Sequence, residues 1–329
     1  MSEIPNTSDG RKIVARAPKT NSYPVFAPSP QVLARYRAKV LDPTTALLLP
    51  GQTRPNSTVY VSDQLIVSGQ ATHDTMSALT EAARRFGLYV SSRQQPQDGH
   101  RHFRADDVAR NANINPDYLP QRVRLVVGAP TAPAPDAWAV LQTFRGLLKR
   151  DDPGNQHVSL DHLMTAFPYY SGTPYYSGTP YYSGTGAGSV EYAMPGTGGR
   201  VPVSWNAGLP ARCDDSMLPR RPKVVILDTG LGDHEWLQPP VCTLDGVALG
   251  VPVSNPELSG VTEDPYEGLL DADAGHGTFI AGLIRQGCPD ADIESVHLMG
   301  GDGIAPESDV LMCWSCLRFG SRRRSHVAM

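Results

Sequence analysis

Two short stretches constrain this chain more than any other part of it. Lys223-Val224-Val225-Ile226-Leu227-Asp228-Thr229-Gly230 is an apolar run without polar alternation that ends in an acid, which reads as a strand buried on both faces. Asp228 then stands at the carboxyl end of that strand. This is the edge of an open α/β sheet where loops carry polar side chains while the sheet holds them rigid. Gly275-His276-Gly277-Thr278-Phe279-Ile280-Ala281-Gly282 places a histidine at the start of a helix built from small residues, which lets the helix lie close against neighbouring backbone.

An aspartate at a strand end and a histidine at a helix start are two members of a Ser-His-Asp arrangement. The carboxylate accepts the imidazole Nδ1 proton, fixes the tautomer and stabilises the imidazolium that forms during proton transfer. A plainer reading of the same residues is a buried strand with a turn-capping Asp and a core His. Val-Ile-Leu-Asp-Thr-Gly followed by His-Gly-Thr-Phe-Ile-Ala-Gly closely resembles the Asp and His motifs of the subtilisin-like serine proteases, in that family's order. The resemblance covers roughly residues 221 to 312. It implies a serine-type endopeptidase acting on polypeptide, with Asp228 and His276 as catalytic residues on a partial doubly wound parallel sheet truncated at its C-terminal end.

The departure from the family is as informative as the match. The family's nucleophile lies roughly 150 residues beyond its histidine, in a Gly-Thr-Ser motif that opens a helix. This chain reaches Met329 well short of that, and its Gly-Thr pairs at Gly172, Gly178, Gly184, Gly196 and Gly277 are followed by Pro, Pro, Gly, Gly and Phe. No nucleophilic serine is assigned, and the asparagine that serves the oxyanion in the family has no counterpart. The chain as written is expected not to hydrolyse peptides by this route. The alternative function is a non-catalytic, inhibitor-like binding protein acting through its N-terminal part.

Length and composition bound these readings. The 329 residues leave room for about two domains, and a hydrophobic fraction of 40% is enough for a core. The 30 prolines and 31 glycines together point to long irregular stretches. A formal net charge of −4 gives no reason to expect nucleic acid or an anionic membrane as partner, and no apolar run is long enough to span a bilayer. The polar start, Met1 to Gly10, lacks a secretory signal and reads as cytoplasmic, whereas the family resemblance implies secretion. Nothing bears on oligomeric state. Five cysteines make no disulfide framework, and Cys313-Trp314-Ser315-Cys316 reads as reduced thiols rather than a zinc site. No cofactor is expected. A calcium loop near Glu263, Asp264, Asp271 and Asp273 is conceivable, but the ligand spacing is unordered and solvated loop is the default.

In chain order, residues 1–55 read as a mostly disordered arm with one helix over Gln31–Val40. Residues 56–165 read as a small α/β module. Its elements are a strand at Val59–Val67, a helix at Asp74–Phe86 capped by Asp74, a strand at Leu88–Ser91, a strand at Val123–Val127 and a helix from Asp136 through Leu148. This order resembles the propeptide of subtilisin-like proteases, and equally suits an unrelated module. Residues 166–219 form a linker in which Pro-Tyr-Tyr-Ser-Gly-Thr occurs three times in succession from Pro168, a composition that excludes helix and central strand. Residues 220–312 form the truncated catalytic domain, loop-like from Leu231 to Ala274, with a further strand at Ile293–Met299, a glycine-rich turn and a helix beginning at Glu307. At about Met312 the pattern breaks, and 313–329 reads as an aberrant tail from a frameshift or premature stop, with a basic tail for anionic partners as the alternative.

Overall fold

The structure, a computed structural model, describes residues 28–91, 115, 119–128, 130–148, 152–165, 208–218, 220–244, 247–248, 251–252, 255–258 and 273–319. Its architecture is mixed α/β, with a larger antiparallel sheet and a small parallel one. The N-terminal half builds β1 (Ala38–Leu41), β2 (Thr58–Val67), β3 (Leu88–Ser91), β4 (Gln121–Val127) and β5 (Val158–Thr165), with helices α1 (Pro30–Arg35), α2 (His73–Arg84) and α3 (Ala137–Leu147). β2 is central: β5 pairs along one edge, and β1 and β4 share the other, one after the other. β3 pairs antiparallel with β4. β2 and β3 are thus parallel with β4 inserted between them.

One face of this sheet is covered by α2 and α3. Leu65, Val67, Val123, Leu125, Val158 and Leu160 pack there against Leu79, Ala83, Leu141 and Phe144, all of them nearly inaccessible. The caps follow from the sequence with one change: Thr72, not Asp74, caps α2, its Oγ1 accepting from the Thr75 amide at 3.2 Å. Asp136, where the helix was expected to open, caps α3, accepting from the Trp138 and Ala139 amides. Two expectations for the arm are overturned for the described residues 28–55. The helix stops at Arg35 because Arg37 turns the chain with φ +48°, and Val40 lies in β1, held by the β2 ladder.

The second half contributes β6 (Lys223–Asp228), β7 (Cys242–Leu244), a hairpin of β8 (Val247–Ala248) and β9 (Val251–Pro252), α4 (His276–Gly287), β10 (Asp292–His297), β11 (Ile304–Pro306) and α5 (Glu307–Phe319). β10 lies between β6 and β7 and is parallel to both, with Asp228 opposite His297 at the carboxyl edge. The loop reading of 231–274 therefore misses β7. α4 packs on this sheet with Trp236 and Leu237, around Ile226, Ala281 and Ile293. Buried Arg285 at the end of α4 donates to the carbonyls of Trp236, Pro289 and Pro210. Burial holds its guanidinium below the usual range.

β11 does not extend the parallel sheet. It adds antiparallel to β5 as the edge strand of the N-terminal sheet, and α5 lies against β5. This joint is polar and sealed. Ser308 donates its amide and hydroxyl to the two oxygens of Asp161, at 3.0 and 2.7 Å. Arg122 donates Nε to Ser308 Oγ and Nη2 to Asp309 Oδ1, at 2.8 and 2.5 Å. The helix runs past the expected break at Met312 to Phe319, with Met312, Cys313 and Leu317 buried, so the first residues of the supposed tail are part of the fold. The tyrosine repeats and residues 320–329 lie outside the described residues. Among the described residues no helix is long and apolar enough to cross a membrane.

Candidate functional site

The apolar run of β6 carries Asp228 to the carboxyl edge, and α4 begins directly beside it. Gly277 allows this approach: a Cβ there would run into the Gly230 carbonyl oxygen and press on Asp228. Small residues thus bring α4 close at Gly277 and at fully buried Ala281, whereas Gly282 faces open space. Gly275 precedes the helix with φ +90°, a left-handed conformation that favours glycine.

The two residues singled out by sequence are in contact. His276 Nδ1 lies 2.9 Å from each carboxylate oxygen of Asp228, and the Thr229 amide donates to Oδ1 at 2.7 Å. The aspartate side chain is 9% exposed and the histidine 22%, so the acid is shielded while the ring borders solvent. Hydrogen bonding through Nδ1 puts the basic lone pair on Nε2, the position from which an imidazole accepts a proton. Behind the pair, the Asp228 carbonyl accepts from the Leu298 and Met299 amides. Ser295 Oγ donates to the Gly230 carbonyl at 3.1 Å.

Sequence reasoning missed the residues that join the two motifs. Glu257 is the hub: its carboxylate accepts from Thr229 Oγ1 at 2.6 Å, the Gly275 amide at 2.8 Å and Thr278 Oγ1 at 3.1 Å. The two threonine hydroxyls accept in turn, Thr229 from the Gly277 amide and Thr278 from the Gly232 amide. Amides at the start of α4, which have no partner within the helix, are satisfied in this way. Asn255 clasps the other side, accepting from the Leu231 amide and donating to its carbonyl. The Asn255-Pro256 dipeptide marks a turn, and was the one available signal that an ordered segment lies there.

Glu263, Asp264 and Asp271, where a calcium loop was conceivable, lie outside the described residues. Asp273 acts through its backbone, donating its amide to the Gly301 carbonyl and accepting from the His276 amide. Among the described residues no group of three or more His, Cys, Asp or Glu side chains could hold a metal ion. Searches against protein-family models and against curated proteins find no match to this chain.

Proposed function

We propose that residues 221–312 carry the proton-accepting half of a subtilisin-like serine endopeptidase site, with Asp228 as the residue that orients and His276 as the base. The observation that carries this reading is the contact of His276 Nδ1 with both oxygens of a shielded carboxylate at the carboxyl edge of a parallel sheet. In acyl transfer the imidazole takes a proton through Nε2 from a hydroxyl or water that attacks a carbonyl, and Asp228 stabilises the resulting imidazolium. The sequence holds no Gly-Thr-Ser, so these residues provide the base without the family's nucleophile.

Hydrolysis of an activated ester such as p-nitrophenyl acetate tests the base. The full chain should exceed its His276→Ala variant, and Asp228→Asn should shrink that increment. Equal rates for the chain and His276→Ala would remove the reading, as would cleavage of a generic peptide that survives that substitution.

A second reading concerns residues 56–165 and has its own support. β11 completes their sheet and α5 seats on Asp161 and Arg122. This favours a propeptide-like module whose target lies in the same chain over an inhibitor of a separate protease. Tight binding of the isolated 56–165 segment to an unrelated subtilisin-like protease would reverse that preference.

A further inference from the structure

The N-terminal sheet also touches a turn on which both catalytic loops rest. Gly300-Gly301-Asp302-Gly303 joins β10 to β11. Three glycines give this turn wide backbone freedom, and Gly303 uses it with φ +67°. The turn is closed by its own bonds, the Gly303 amide to the Gly300 carbonyl, the Gly300 amide to the Ile304 carbonyl and the Ile304 amide to Asp302 Oδ1, and α1 reaches it through Asp302. Arg35 donates Nη1 to Asp302 Oδ2 at 2.9 Å, and the Tyr36 hydroxyl lies 3.2 Å from Asp302 Oδ1 and 3.0 Å from the Ile304 carbonyl. Both partners belong to the end of α1, and Tyr36 is only 6% exposed. From the next residue of the turn, the Gly301 carbonyl accepts the Asp273 amide at 2.8 Å, and the Asp273 carbonyl accepts the His276 amide at 3.0 Å. The segment just before the turn binds the other catalytic loop, since the Leu298 and Met299 amides donate to the Asp228 carbonyl.

We infer that Arg35 and Tyr36 are positioning residues for the Asp228–His276 pair, acting through Asp302, Gly301 and Asp273, so that docking of the N-terminal sheet sets how firmly His276 is held. The glycine turn is the element they tighten: anchored to α1 when Asp302 is engaged, and held by its own backbone bonds alone when it is not. Engagement costs the turn its entropy once, and the Asp273 and His276 hydrogen bonds then form on an ordered platform. The inference rests on the reading of the pair as an orienter and a base, and gives that site a regulator within its own chain.

Hydrogen exchange and ring nitrogen shifts by NMR on the full chain test the inference without any activity measurement. It can therefore fail while the ester assay supports the base, which keeps the two failures apart. In Arg35→Gln and Tyr36→Phe, which keep side-chain volume, the Asp273 and His276 amides should exchange about fivefold faster for each hydrogen bond removed. Ile226, Ile293 and Leu65, in the cores of the two sheets, should keep their rates. The double variant should also move the ring nitrogen chemical shifts of His276, and Arg35→Lys should restore most of the protection lost in Arg35→Gln. Unchanged rates at Asp273 and His276 in the double variant would overturn the inference, and so would acceleration of the sheet amides by the same factor. Should the double variant lose its fold, Tyr36→Phe alone decides, because the ring still fills its place among Val59, Val61 and Leu163; wild-type rates there would also overturn it.

Discussion

The joint between β5 and α5 and the contact between Asp228 and His276 are both built from ionisable side chains, yet they differ in access to water. Arg122, Asp161 and Asp309 are 5%, 0% and 5% exposed; Arg122 Nε and both Asp161 oxygens also bond Ser308, while Arg122 Nη1 is buried without a hydrogen bond. His276 keeps 22% of its surface beside a shielded acid. A sealed cluster can hold two parts of a chain in register, because separating them strands charge in a dry place. It cannot exchange protons with a reactant. The half-open pair can, and the cost is weaker attachment. The comparison teaches that similar chemical groups become mortar or machinery according to which faces are left wet.

Four measurements would break or sharpen that contrast. Arg122→Ala leaves Asp161 and Asp309 buried without their cation, and should cost about 3–5 kcal/mol in urea unfolding; a loss below about 1 kcal/mol would show that the joint is not mortar at all. Glu257→Ala removes the acceptor for two threonine hydroxyls and one amide and should cost about 2 kcal/mol. It should also separate the His276 ring from Asp228, which is read from the ring nitrogen shifts. Asp161→Asn tests the sealed cluster through pH. Burial pushes the Asp161 carboxyl up, although Arg122 and Ser308 pull it down. The native state therefore holds that proton more tightly than the unfolded chain, and the stability it contributes is greatest below the ordinary carboxylate range, from about pH 4. That contribution is lost as pH rises through the raised value. Wild type should lose stability relative to Asp161→Asn on going from pH 4 to 7. Smallest of all, His276→Ala should change stability by less than about 1 kcal/mol while removing the ester-cleaving increment.

Much of the site was legible in the sequence. The uninterrupted Val224–Leu227 run could only be a covered strand, so Asp228 had to sit at its edge. Glycine and alanine after His276 marked a helix in close contact with backbone. Glu257 was not legible, because one acid in an irregular stretch beside Glu263, Asp264 and Asp271 carries no local sign that three donors converge on it. The N-terminal elements followed from apolar periodicity, except β1, which reads as the end of a helix, and β5, where Asp161 and His162 interrupt the pattern. Arg122 and Asp161 look like solvent-facing positions of alternating strands, and only α5 turns that face into an interior. β11 was illegible in principle: three residues after a glycine turn have no preference between two sheets until the tertiary contacts decide.

The late arrival of that edge strand sets a timetable. Ser308 reaches Asp161 across 147 positions and Tyr36 reaches Ile304 across 268, and such long-range contacts are slow to close. On a ribosome adding about 5–20 residues per second, the sheet would wait on the order of ten seconds after β5 emerges before β11 exists. Throughout that interval the β5 edge is an open template for any passing strand, and the face bearing Arg122 and Asp161 is still wet. The newborn chain is thus most exposed to wrong partners just before its own last strand removes the opportunity.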